Sequence, residues 1–342
     1  MSRPTVNDIA REAGVSLATV DRVLNERPGV RARTVTAVQE AIARLGYVRD
    51  MAAANLARQR SYRMVAALPR NDSQFLTVLE DALREAGEAA AHSRTVLEVM
   101  RYPAEDGHAL AALLAALPDD TAGVALMAPE TPVVRDAVRG LRARGIPVIA
   151  LVSDLPNTAR DHFIGVDSRA GGRTAGVLMG RFIRETKGSV LAVAQSMQLR
   201  DAVERRRGFD EVMLADFPGL NVLPTLETHG SDATLRAVVT EALRHAPAVR
   251  GIYLMGSGHR ALSATLADLG LTGRFVIIGH ELTPHTREAL LSGHIDAIIT
   301  QNLGHLARSA LRVLRAKADR VPFDSAQEQL RIEIVIRENL PS

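Results

Sequence analysis

The sequence predicts a small all-α amino-terminal unit followed by a larger, two-lobed α/β core with parallel sheets. Two apolar helical stretches hinge on one glycine before residue 25. From Arg63 onward, short apolar runs alternate with amphipathic helical stretches. Those runs outnumber the strands that one sheet comfortably holds, which favours two lobes. At 342 residues, 46% of them apolar, the chain can build two or three domains with substantial cores.

The amino-terminal unit is read first. Val6, Ile9, Ala10 and Ala13 recur at helical spacing, and Gly14 permits the left-handed residue of a tight turn. Ser16 is placed to cap a second helix, on which Val20, Val23 and Leu24 face the first. Two short helices about a glycine turn form a helix-turn-helix, whose second helix fits a DNA major groove. Leu17, Ala18, Asp21 and Arg22 lie along the outer face of that helix. Any small helical hairpin would satisfy the pattern alone, so charge matters. Residues 1–60 carry ten Arg against six Asp or Glu, leaving a net −1 for the rest of a chain whose total is +3. The basic excess sits where phosphate attraction requires it.

Residues 49–60 contain strong helix formers and neither glycine nor proline. A helix of that length is marginal on its own in water. Beyond it, strand candidates run from 64–68 to 332–336 and include 221–226 and 295–300; helical stretches include 76–91, 170–184 and 202–215. Strand–helix alternation of this kind means parallel sheets covered on both faces. No run approaches the 18 or so apolar residues of a membrane span. The amino terminus has no apolar secretory segment, and the absence of cysteine excludes disulfides and thiolate metal sites. A cytoplasmic protein is expected.

In doubly wound sheets, ligands sit beyond the carboxyl ends of the strands. Polar residues directly after strand runs are therefore the site candidates: Asn71 and Phe75, Ser153-Asp154, Gln198 to Asp201, Ser257, His280-Glu281 and Gln301-Asn302. Such groups suit vicinal hydroxyls, and Phe75 could face a sugar ring. Each also has an ordinary alternative as a helix cap or a solvated loop residue. Three other patterns are set aside. Gly256-Ser257-Gly258-His259-Arg260-Ala261 fits a dinucleotide fingerprint but lies far inside its domain. His280 and His285 are one residue too far apart for a zinc-protease pair, which turns them about 140° apart on a helix. Gly171, Gly172 and Gly176 lack the Lys-Ser/Thr of a phosphate loop. No catalytic, cofactor or metal site is expected.

The amino-terminal residues resemble the LacI/GalR family of bacterial repressors. Thr5-Val6, Asp8-Ile9-Ala10, Ala13-Gly14-Val15-Ser16, Thr19-Val20 and Arg22-Val23-Leu24-Asn25 match its signature. The match continues through Gly29-Val30-Arg31, Thr34, Val38, Ala41-Ile42 and Leu45-Gly46-Tyr47, without a gap. A weaker resemblance, to sugar-binding proteins of the ribose-binding type, covers nearly all the remainder.

The resemblance implies a helix-turn-helix headpiece over 1–48, a hinge helix over 49–61 and a periplasmic-binding-protein-like core over 62–342. The N-lobe would take about 62–163 and 294–327, and the C-lobe 164–293 and 328–342, with crossings near Phe163, Gly293 and Gln327. Leu17 and Ala18 would choose the operator. Arg22 can pair with a guanine edge, and Ser16, Thr19 and Asn25 would position phosphates. Ala53 would let paired hinge helices approach, with Leu56 wedging a base step. Asp21, Arg49 and Asn7 depart from the family's commoner residues. Asp154, Arg200, Glu281 and Gln301 match the sugar-binding pattern best; Asn71 and Phe75 match less well, and Ser257 replaces an amide.

The function so implied is a transcriptional repressor whose double-stranded, pseudo-palindromic operator affinity is set by a sugar, polyol or related metabolite. It would act as a homodimer or a tetramer, without an enzyme activity. The alternative is a solute-binding protein of a transport system.

Overall fold

The computed structural model describes residues 4–24, 27–47, 61–71, 73–104, 106–246 and 248–341. The chain divides into two compact units, Met1–Arg60 and Ser61–Ser342. Asn25 and the expected hinge helix, with Ala53 and Leu56, lie outside the described residues.

The first unit holds α1 (Val6–Glu12), α2 (Leu17–Leu24) and α3 (Ala32–Leu45). Asp8 fixes the start of α1 by accepting from the backbone N–H and the hydroxyl of Thr5, both at 2.8 Å. Gly14, at φ +64°, turns the chain between α1 and α2. Gly46, at φ +59°, ends α3, and the Tyr47 N–H bonds back to the Ile42 carbonyl. Ile9, Val20, Val38 and Ala41 are fully buried at the centre, one or two from each helix. That is a small core, and each of its members is hard to replace.

In the second unit, the first sheet contains β1 (Tyr62–Arg70), β2 (Thr95–Pro103), β3 (Thr121–Leu126), β4 (Val148–Leu151) and β5 (His162–Ile164). Its order is β2-β1-β3-β4-β5, with every pairing parallel. Parallel neighbours need crossovers, supplied here by α4 (Gln74–Ala90), α5 (Gly107–Ala115) and α6 (Pro132–Ala143). Strand alternation splits the buried side chains into two layers. Met64, Ala66 and Leu68 face one core, and Val65 and Ala67 face the other.

The second sheet contains β6 (Gly188–Ala194), β7 (Leu220–Val222), β8 (Leu226–Glu227), β9 (Val249–Leu254), β10 (Val276–His280), β11 (Ala297–Thr300) and β12 (Glu333–Val335). Its order is β12-β11-β10-β9-β6-β7, β8 pairs β6, and β12 runs antiparallel at the edge. Around it stand α7 (Ser168–Phe182), α8 (Arg200–Asp216), α9 (Asp232–His245), α10 (His259–Asp268) and α11 (Pro284–Leu291). The apolar run 221–226 is two strands, because Pro224 has no N–H to give a ladder.

Two crossings differ from expectation. The strand β11 pairs with β10, so the chain leaves the second sheet after Thr300 and not near Gly293. A chain leaving at Gly293 would have to abandon the buried pairing of Ile298 with Gly279. The following helix, α12 (Leu303–Asp319), packs its apolar side into the first lobe's core. Leu330 still belongs to that core, and the return falls between it and Glu333 rather than at Gln327. The first crossing follows Ile164. No helix among the described residues is long and apolar enough to cross a membrane.

The glycines Gly171, Gly172 and Gly176 lie inside α7, Gly172 and Gly176 against α8 and Gly171 against His280 and Ile332. A methyl at Gly172 would enter the Arg205 carbonyl, and one at Gly208 would enter the Arg169 carbonyl. The two helices therefore cross backbone against backbone, and neither carbonyl can swing aside as a side chain would. We expect Gly172→Ala to lower stability in urea unfolding by about 1–3 kcal/mol, despite alanine's better helix propensity. Gly140→Ala, at an exposed helical glycine with open space around it, should be neutral or gain up to about 1 kcal/mol. Equal effects at both positions would contradict the close crossing.

Candidate functional site

The second helix of the headpiece begins where Ser16 caps it. The Ser16 hydroxyl oxygen accepts from the Thr19 N–H at 3.2 Å and lies 2.9 Å from the Thr19 hydroxyl. Val20 is buried beneath, so the opposite face must look outward. Leu17 is 49% exposed there, with Ala18, Asp21 and Arg22 also exposed. Asp21 pairs with Arg27 at 3.5 Å. The Arg22 guanidinium makes no ion pair with any described residue.

In the second unit, the carboxyl ends of both sheets open on one cavity of about 390 Å³. Asn71 and Phe75 follow β1, Val152 and Ser153 follow β4, and Gln195 follows β6. From the other side come Ser257 after β9, and His280 with Glu281 at the end of β10. Two of these stand in strained backbone. Val152 has φ +63° and Glu281 has φ +69°, where a β-branched or long side chain is rarely found. Each is held there by a strand-like bond, Val152 N–H to Ile164 and Glu281 N–H to Ile299. Strain of about 1–3 kcal/mol per residue persists only where the surroundings enforce it.

The cavity's electrostatic centre is Arg205, 3% exposed on α8. It donates to the Met255 carbonyl at 2.8 Å and lies 3.3 Å from both Asp201 and Glu281. Glu281 accepts in addition from Gln301 at 3.1 Å and from the Thr300 hydroxyl at 3.5 Å. Burial pushes the Glu281 carboxyl above its usual range, more strongly than Arg205 pulls it down. Behind it, Tyr253 and His280 share a 2.8 Å hydrogen bond, and burial holds His280 far below its ordinary value. Asp201 Oδ1 and Arg205 Nε are buried without a hydrogen-bond partner among the described residues. Both residues line the cavity, although these two atoms are themselves buried.

Of the residues expected from the sequence, Asn71, Phe75, Ser153, Asp201, Ser257, His280 and Glu281 line this cavity. Asp154, Gln198, Arg200, Gln301 and Asn302 do not. Asp154 is turned away and gripped by Arg160 at 2.5 and 2.7 Å. Arg200 reaches along its own helix to Glu204 at 2.8 Å. Gln301 is buried behind Glu281 and orients that carboxylate. Asp201 takes the place expected of Arg200, and Arg205 was not anticipated. The available signal was periodicity: Asp201, Arg205, Gly208, Phe209 and Val212 form the buried stripe of α8. The surrounding arginines and acids of that helix hide it.

The Gly256 to Ala261 stretch does pass from strand to helix, with Gly258 at φ +112° starting α10 and lining the cavity. His280 ends a strand and His285 begins a helix. No cluster of metal-ligating residues is found among the described residues.

A headpiece presenting a helix-turn-helix, joined to two parallel-sheet lobes around a polar cleft, defines a class: a DNA-reading module on a small-molecule-binding core. Residues 64–320 match the periplasmic binding protein domain, and residues 5–50 match bacterial regulatory proteins of the lacI family. The chain belongs to the periplasmic binding protein domain family and carries a lacI-family helix-turn-helix in front of it. It is 44% identical over 71 residues to the HTH-type transcriptional regulator RegA of Clostridium saccharobutylicum, a match covering 21% of each chain. It is 27% identical over 266 residues to the HTH-type transcriptional regulator CelR of Thermobifida fusca, covering 73% of each. The fold is similar to that of GanP, a glucose-galactose binding protein from Geobacillus stearothermophilus. The TM-score is 0.72 at 18% identity, over 83% of this chain and 100% of that one.

Burial pulls the His259 pKa down to about 3, against ~6.5 in an unfolded chain. The unfolded chain therefore takes up this proton first as acid is added. The stability it contributes is whole above pH ~6.5 and is lost as the pH falls towards about 3. His280 shifts in the same direction and Glu281 in the opposite one, so the net slope is partly offset. In urea unfolding between about pH 6.5 and 4, His259→Asn should lose stability less steeply than the wild type, by up to about 1.4 kcal/mol per pH unit. Parallel slopes would contradict a neutral, sealed His259.

Proposed function

We propose that the protein is a transcriptional regulator, in the mode of a repressor, whose operator affinity is set by a carbohydrate-like molecule bound between the lobes of its core. One observation carries the reading. The same chain holds an outward-facing recognition helix and an enclosed cleft whose buried Asp201 and Arg205 each keep a polar atom unpartnered. The regulators RegA and CelR, and the sugar-binding protein GanP, support the two halves separately.

A covalent and packed path joins the cleft to Tyr62, at the start of the second unit. Gln301 touches Glu281, Asn302 caps α12, and that helix ends at Asp319. The Tyr62 hydroxyl donates to both Asp319 oxygens, at 2.7 and 2.8 Å, and Tyr62 stands at the start of the core. Ligand that favours one disposition of the lobes would shift this helix and, through Tyr62, the point where the chain enters the second unit. The hinge helix expected over 49–61 would be marginal on its own, so a few kcal/mol of differential affinity would be enough to make or melt it. One headpiece covers too few base pairs for specificity, so the functional unit is a homodimer on a pseudo-palindrome in the cytoplasm.

Arg22 is the direct reader in this scheme. A duplex selected from a random pool by the full chain should be retarded on a gel. Arg22→Ala should weaken it by about 1–3 kcal/mol and relax the preference at one base pair of each half-site. Unchanged affinity and preference would remove Arg22 from the interface. A chain that binds sugar but retards no duplex would be a solute-binding protein instead.

A further inference from the structure

One charge on the recognition helix is at odds with its task. Asp21 is exposed on α2, beside the residues that look outward. Duplex DNA carries about one negative charge per 1.7 Å of its axis, so a bare carboxylate brought against it is repelled. Successive helical residues turn by about 100°, which sets Asp21 midway between buried Val20 and outward Arg22. With Arg22 aimed at base edges, Asp21 points to the flank, where the phosphates lie.

The headpiece supplies a neutralising group. Arg27 Nη1 lies 3.5 Å from the Asp21 carboxylate, and both side chains are more than half exposed. The backbone of Arg27 is tied to the end of the same helix, its N–H donating to the Arg22 carbonyl at 2.9 Å. In water an exposed pair of this kind adds little to folding, because both side chains lose rotamer freedom and solvent screens the charges. Neither belongs to the headpiece core, which Ile9, Val20, Val38 and Ala41 fill. The pair therefore has its use outside the folded chain. A guanidinium presents its N–H donors as a rigid fork, so one edge can face Asp21 while the remaining donors reach a phosphate.

Building on the regulator reading, we propose that Asp21 and Arg27 act as one unit in operator binding. Arg27 contacts a backbone phosphate, and Asp21 is the positioning residue that holds its guanidinium at the flank of the recognition helix. The pair adds affinity and no sequence preference, since every base pair has the same backbone. A reversal of sign follows. With Arg27 present the carboxylate orients a cation; with Arg27 gone the same carboxylate only repels the duplex.

Gel retardation of the duplex selected by the full chain, repeated across potassium chloride concentrations, tests this. The variants are Arg27→Ala, Arg27→Lys, Asp21→Ala and the double alanine variant. Arg27→Ala should weaken binding about tenfold and flatten the plot of log affinity against log salt by about 0.9 for each headpiece engaged. Arg27→Lys should recover the slope and only part of the affinity, a point charge standing in for a fork. Asp21→Ala should weaken the wild type about threefold and strengthen Arg27→Ala by a similar factor, a reversal that a folding defect does not produce. Preference at each base pair should stay that of the wild type in all four. An Asp21→Ala effect of the same sign and size in both backgrounds overturns the proposal. So does an unchanged salt slope in Arg27→Ala, or a preference relaxed at one base pair by Asp21→Ala, as a carboxylate reading a cytosine amine would give. A wild type that retards no selected duplex overturns the regulator reading and the pair's role with it; one that binds while the two substitutions simply add removes the pair alone.

Discussion

A guanidinium sealed between two carboxylates at the meeting of two lobes is the constraint on which this core is arranged. Removing Arg205 from water costs several kcal/mol unless its donors are matched. The match comes from three separate elements: Asp201 one turn back on α8, Glu281 at the end of β10, and the Met255 carbonyl after β9. Holding Glu281 in place requires a left-handed backbone, a glutamine and a threonine. Bringing Arg205 close enough requires α8 to lie against α7 at glycines. Much of the second lobe's local irregularity follows from satisfying this one cation.

Asp201 Oδ1 and Arg205 Nε have no hydrogen-bond partner among the described residues; both atoms are buried, and both residues line the cleft. A ligand hydroxyl that reached them would repay desolvation already incurred in folding. The lobe opposite lines the cleft with Asn71, Ser73, Gln74 and Ser153 beside its apolar side chains, and the Gln74–His285 hydrogen bond is a direct tie across the gap.

Much of the fold was legible because its periodicities are local. The unbroken apolar run 64–68 and the helical spacing of Val20, Val23 and Leu24 each report on neighbours only a few residues away. The headpiece was legible for the same reason, since its turn glycine, its cap and its core all lie within the first 47 residues. The cleft was read less well. Asp154, Arg200 and Gln301 do follow strands, but whether a residue after a strand faces a ligand depends on partners distant in the chain. Arg160 claims Asp154, and Glu204 claims Arg200. Arg205 is a helical residue eleven places after the end of β6, in a run of charges that reads as solvated surface. The crossing at Gly293 failed for a related reason: a turn glycine marks the end of a helix, not the sheet to which the next strand belongs.

The account joins two activities through one carboxylate, and Asp201→Asn separates them with little change of shape. The full chain should retard its selected duplex, and the tightest-binding sugar compound should change that affinity in a concentration-dependent way. Asp201→Asn should bind the same duplex equally well without that compound and require at least about tenfold more of it for the same response. A variant that responds at the wild-type concentration, or a wild type indifferent to every compound its cleft binds, would contradict the account.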